Sequence, residues 1–137
     1  MATVIEPPRA DRSGYQPGVC NIGPDEIARR RRAGHVGVAV SAVLLAALMA
    51  VEAPHWTRLA LVLTAGGAAS GYLQAYFRFC AGFGAKGVYN FGPIGSVRQV
   101  EDAAAKALDR ARSNRIGLTS LAIGLAVGIA ATLLPAR

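Results

Sequence analysis

The residues able to do chemistry are few. Cys20 and Cys80 are the only thiols, and His35 and His55 the only imidazoles. A thiol reacts or ligates as its thiolate, so its use depends on nearby positive charge. Arg78 stands two residues before Cys80 and would favour that form. Two such thiols would suit a sulfur species, a soft metal ion or a redox signal. The plainer alternative is two small, partly buried residues in turns. A structural disulfide is not expected, because both cysteines fall on the side read below as cytoplasmic, where thiols stay reduced. The two histidines are separated by one apolar stretch, about 30 Å along a helix, so they cannot share a metal within one chain. They read as polar residues at its two ends. The sequence offers no Cys/His/carboxylate cluster with ligand spacing, no serine-based triad, and no carboxylate inside an apolar block where an ion path would need one. No cofactor is expected, and the chain reads as a non-enzyme.

GFGAKG at 82–87 fits the spacing G-x-G-x-x-G. A dinucleotide site needs that spacing between a strand and a helix, whereas here it follows an apolar helix. It also lacks the G-K-[ST] ending of a phosphate loop. The glycines from Gly82 to Gly95 are read as a loop allowing close backbone packing at a membrane surface.

The elements that carry these residues follow from composition. Of 137 residues, 53% are hydrophobic and 17% charged, against about 45–50% and about 25% in soluble domains. The apolar residues form three blocks, 36–51, 59–77 and 116–134, none containing a charge. A spanning helix needs about 20 such residues. A soluble bundle would instead show a polar face on each helix. The expected fold is all-α: an integral membrane protein with three transmembrane helices at about 35–52, 59–77 and 116–134. Residues 1–23 form an N-terminal arm and residues 24–137 the membrane domain. Residues 1–34 are polar and basic, without the apolar core of a signal peptide, so the first span is expected to be retained. The arm has too little apolar content to fold alone and is expected to lie on a partner.

Charge sets the orientation. Of 15 Lys and Arg residues, six precede the first span and seven lie between the second and third; only Arg58 and Arg137 fall elsewhere. Positive charge favours the cytoplasmic side, which places the N-terminus and the 78–115 segment there and the C-terminus outside. The basic residues hug the ends of the spans. Arg29, Arg30, Arg31, Arg32, Arg78, Arg112 and Arg115 are therefore read as contacts to lipid headgroups or a partner, and nucleic acid is not an expected partner. The short EAPHWTR loop makes the first two spans a hairpin, with Trp56 in the interfacial aromatic belt. Gly67 and Gly71 in the second span, and Gly124 and Gly128 in the third, have the spacing of close helix packing. Gln74, the strongest polar group within a span, is expected to bond across helices.

One phrase occurs twice: GVCNIGP at 18–24 and GVYNFGP at 87–93. Each ends in Gly-Pro and precedes a polar helical stretch. Pro24 suits a first helical position, with Asp25 and Glu26 in the favourable first turn. After the second copy, Ser96 and Gln99 have capping-box spacing. Val97, Val100, Ala104, Ala107, Leu108 and Ala111 then recur at helical spacing, with Asp109 among the polar residues. This predicts an amphipathic cytoplasmic surface helix at about 96–113. Both phrases are read as interfacial turns that launch a helix toward the membrane.

Residues 20–90 resemble the small YgaP-type inner-membrane module, a family often joined to a rhodanese domain. Asn21-Ile22-Gly23, Glu26, Arg30 and Gly34 are similar to its opening, and Phe79-Cys80, Phe83 and Gly87-Val88 to its close. Ile27, Ala81 and Phe83 depart from the family's Arg, Pro and Tyr, and the third span is additional. The resemblance implies a helical hairpin in a bacterial inner membrane, and 137 residues leave no room for a rhodanese domain. The expected role is a non-enzymatic structural or accessory subunit of a membrane assembly, or a homo-oligomer, whose partners are the bilayer and other subunits or itself. The alternatives are a thiol module working through Cys20 and Cys80, and a small oligomeric transporter.

Overall fold

The computed structural model describes residues 14–135. The first half of the arm, with Arg9 and Arg12, lies outside the described residues, as does Arg137. The fold is mostly helical. Helix α1, Pro24–Ala50, begins with Pro24 in its first turn beside Asp25 and Glu26. It ends where Glu52 takes a positive φ of 52° ahead of Pro54. A 3-10 turn, His55–Ala60, runs directly into α2, Leu61–Phe77. Arg78 closes α2 in the left-handed conformation, φ 54° and ψ 39°, a place where glycine is usual. The short helix α3, Ala81–Lys86, ends on Gly87 at φ 70°. Strands β1, Val88–Tyr89, and β2, Arg98–Gln99, pair antiparallel, with Val88 opposite Gln99. Helix α4, Ala103–Thr132, completes the order.

Helix α2 is the centre of the molecule, with α1 on one side and α4 on the other. Glycines set both approaches. A Cβ at Gly71 would lie 2.7 Å from Gly34 N and 2.8 Å from Arg30 O, and one at Gly37 would lie 2.8 Å from Ala68 Cα. At Gly124 a Cβ would strike Val62 O and come within 3.0 Å of Gly66 Cα, and at Gly128 it would lie 2.5 Å from Val62 Cγ2. Gly67 is a correction: a Cβ there would meet nothing within 4 Å, and Gly66 takes the place facing α4. Gly67 sits on the wrong side of the helix because the two neighbours of α2 lie on different faces.

The burial pattern of α4 is inverted relative to a soluble helix. Its inward stripe is Ala105, Asp109, Ser113, Ile116, Ser120, Gly124, Gly128 and Ala131, mostly small or polar, while Leu118, Leu121, Leu125 and Ile129 are exposed. Both α1 and α4 are long and apolar enough to cross a membrane. Only 6% of the most apolar stretch of α1 is buried, and 28% of that of α4. Helix α2 has 17 residues, at the lower edge of the spanning range.

The separate surface helix at 96–113 is not observed. Ser96 lies in a turn, residues 98–99 pair with β1, and the helix starts at Ala103. Its cap is Asp102, whose carboxylate accepts the Ala105 N–H at 2.9 Å. From there one unbroken helix runs through the predicted third span. Backbone pairing with β1 outweighs the capping signal at Ser96, because it satisfies N–H groups that a helix first turn leaves open. The predicted apolar face is also corrected. Val97 and Leu108 are exposed, while Asp109, read as a polar-face residue, is completely buried.

Candidate functional site

The site is the polar cap at the shared end of the three long helices, where the repeated phrases meet. Asn90 lies opposite Ile22 in a parallel bridge: its N–H donates to Asn21 O at 3.0 Å, and its carbonyl accepts the Gly23 N–H at 2.8 Å. Gly23 permits this approach, since a Cβ there would lie 2.9 Å from the Phe91 backbone. The same phrase thus serves twice because its two copies are each other's partner.

Both asparagines are fully buried, and each side chain acts as an extra piece of backbone. Asn21 Oδ1 accepts the Cys80 N–H at 2.6 Å and its Nδ2 donates to Cys80 O at 3.0 Å, which clamps the bend between α2 and α3. Asn90 Oδ1 accepts the Gly92 N–H at 3.0 Å, and its Nδ2 donates to Pro93 O at 3.0 Å and to Glu26 Oε1 at 3.3 Å. Glu26 is itself buried. Its Oε2 lies 3.4 Å from Arg30 Nη1 one helical turn on, and Arg30 Nη2 donates to Cys80 Sγ at 2.9 Å. The chain Asn21–Asn90–Glu26–Arg30–Cys80–Asn21 closes into a ring. A buried charge needs a partner and further hydrogen bonds; Glu26 has the Arg30 guanidinium and the Asn90 bond to Oε1, while its buried Oε2 accepts no hydrogen bond.

A second cluster secures the arm. Asp109 accepts the Tyr15 phenol at 2.6 Å and the Gly18 N–H at 2.7 Å, and Tyr15 stacks on Tyr89 with centroids 4.7 Å apart. Burial first, and the Asp109 carboxylate next, push the Tyr15 phenol well above its ordinary value. At the opposite end of the molecule, buried Arg58 donates to Ala131 O at 3.1 Å and Leu134 O at 2.7 Å. It thereby closes the C-terminus of α4, where the helix dipole favours a cation.

The predicted thiols are placed differently from one another. Cys80 is buried and held on three sides by Asn21 and Arg30. Cys20 is half-buried, its Sγ donating to Ile22 O at 3.8 Å, and both are free thiols. Burial pushes the Cys20 thiol up and outweighs the opposing hydrogen bond to Ile22 O and the Arg78 charge. Arg29, Arg31, Arg32, Arg78 and Arg115 are exposed. Arg30 is corrected to an inward residue of the ring, and Arg112 lies 4.4 Å over the Phe77 ring. Gln74 bonds to Ser70 in its own helix and accepts the Ala81 N–H at 2.9 Å; it does not reach α1 or α4. His35 Nδ1 lies 2.6 Å from the Tyr72 hydroxyl, and His55 Nδ1 is 2.9 Å from Thr132 O. The GFGAKG segment is mostly helix α3, with Gly84 against Phe79 and Ser113. Among the described residues, no three of His, Cys, Asp and Glu come together as metal ligands.

Sequence reasoning missed the long-range partners of Asn21, Asn90, Glu26, Asp109 and Arg58. The signal for the two asparagines was available in the repeated phrase, since both copies keep Asn at the fourth position. The class defined so far is a mostly helical protein with two helices suited to a membrane. No protein-family model matches the chain, and neither a curated protein nor a solved structure does so.

Proposed function

We propose that the chain is a three-span integral membrane protein that serves as a non-enzymatic structural or accessory subunit of a membrane assembly, or as a homo-oligomer. The observation that carries this reading is the inverted helix pattern: large aliphatic side chains point outward from α1 and α4 while small and polar groups face α2. In water such a surface would be an aggregation hazard. In lipid it is the expected arrangement, with small residues at helix contacts. Helix α2 would complete the third span with the 3-10 turn before it. The distribution of basic residues supports a cytoplasmic N-terminus and cap in a bacterial inner membrane. The polar groups of the cap are spent on joining chain segments, which favours a scaffold over a reaction centre.

The resemblance to the YgaP-type module gains support from proximity. Glu26, Arg30 and Cys80, three of the residues that carry it, are linked in one ring, and Gly34 packs against Tyr72. The Arg30–Cys80 contact also favours a second reading, a thiol module acting through Cys80 with Cys20. A Cys20→Ser, Cys80→Ser double variant that tolerates sulfur and metal stress like the wild type would remove that second reading.

The test of the leading reading is the native mass of the protein extracted from its own membrane in mild detergent, with every co-migrating chain identified. A reproducible set of partner chains, or a defined multiple of the chain mass, is expected. A lone monomer overturns the subunit reading.

A further inference from the structure

Beside the ring, the first turns of α1 and the last turn of α2 leave an open groove of about 1000 Å³. Its lining includes Arg31 and Arg78 together with apolar Ile27, Tyr76 and Phe77, and the Cys20 thiol. Neither guanidinium has a carboxylate partner among the described residues. Both are exposed, and so is Tyr76, at the helix ends where the membrane reading places the bilayer surface. A guanidinium matches phosphate oxygens bidentately, and basic pockets between helices on the cytoplasmic side suit acidic headgroups. The volume is at the upper end of about 300–1,000 Å³ typical of ligand sites. It is far larger than one inorganic phosphate needs, and the apolar lining asks for hydrocarbon.

We propose that this groove binds one acidic phospholipid, its phosphate held by Arg31 and Arg78 and its glycerol and first acyl carbons on Ile27, Tyr76 and Phe77. The site rests on the membrane reading but goes beyond it, since general attraction to an acidic surface would treat all exposed arginines alike. A bound lipid covers Cys20 and bridges α1 to α2 from outside the ring.

The test uses the full chain in vesicles of phosphatidylcholine alone or with one-fifth phosphatidylglycerol. Alkylation of Cys20 by N-ethylmaleimide is read by peptide mass, with an exposed thiol introduced by Ile94→Cys as the internal standard for surface pH. Phosphatidylglycerol is expected to slow Cys20 at least about fivefold relative to that standard. The protection should disappear in Arg31→Gln/Arg78→Gln and persist in Arg29→Gln/Arg32→Gln. Equal rates in the two vesicles overturn the site, as does equal loss of protection in both double variants. Inorganic phosphate at 50 mM protecting Cys20 equally in neutral vesicles also overturns it, by assigning a free-anion site. Comparing the two vesicles with all arginines intact requires only that Ile94→Cys folds, and Ile94 is an exposed position. Flotation with neutral vesicles reports the membrane reading separately: a chain that floats but shows no protection loses only the lipid site.

Discussion

Asn21 and Asn90, the fourth residues of two near-identical phrases, are joined by a 3.0 Å backbone hydrogen bond, and each turns its side chain to a different task. Asn21 clamps the bend at Cys80, while Asn90 holds the turn through Gly92 and Pro93 and reaches Glu26. The two copies thus form one joint from four chain segments.

Asn21→Ala leaves the buried Cys80 N–H without its partner, while Cys80 O keeps the Gly84 N–H at 2.9 Å. An unmet buried group costs about 1–3 kcal/mol, so a loss of that size is expected in thermal unfolding followed by far-UV circular dichroism in micelles. Cys80→Ala keeps both backbone bonds and loses only the Arg30 contact, so it should cost about 1 kcal/mol. If Cys80→Ala proved the more damaging of the two, the clamp would not be the organising feature of the cap.

Gly71→Ala and Gly124→Ala force a methyl into backbone of the facing helix. Overpacking of this kind costs about 1–3 kcal/mol, so both variants should melt at lower temperature. Gly67→Ala meets no neighbouring atom and should gain up to about 1 kcal/mol from helix propensity. A destabilised Gly67→Ala monomer would contradict the helix orientation.

Tyr15→Phe removes a bond to buried Asp109 and should cost about 1.5–3 kcal/mol at neutral pH. The pH dependence has a definite sign. Because the folded phenol titrates above its ordinary 10.0, its contribution is complete below that pH and is lost as the pH rises toward the higher folded value. Melting temperatures of wild type and Tyr15→Phe should therefore converge between about pH 10 and pH 12. A gap that stays constant over that range would exclude the Tyr15–Asp109 bond as its source.

Arg58→Met takes the donors from Ala131 O and Leu134 O and should cost about 1–3 kcal/mol. Arg58→Lys, which keeps the charge but not the fork, should restore part of that. Equal stability of Arg58→Met and wild type would show that the α4 terminus needs no cap.

The helices were legible because their signals are local: charge-free blocks, Pro24 with two acids behind it, and a short hairpin. The cap was not, because its partners are distant in sequence. Asn21 meets Cys80 and Asn90, and Tyr15 meets Asp109, and no spacing rule links such positions. Asp109 was misread because an acid in a helical stretch ordinarily faces water, and here the arm folds over it. At Ser96 two local signals competed, and the one supported by β1 prevailed. Gly67 and Gly66 could not be told apart from spacing alone, since either begins a small-residue row.

The pairing of the two phrases also dictates an order of events during synthesis. Residues 18–24 leave the ribosome long before residues 87–93 exist, so α1 and α2 form while Asn21 and Glu26 still lack their later partners. Chains fold from the N-terminus as they emerge, and the first hairpin must wait, its polar end wetted. Only when the second phrase is translated can the joint shut, and α4 then follows onto a surface already prepared. A truncation at residue 80 would leave the first hairpin permanently unlatched, an intermediate with a natural claim on chaperones or proteases.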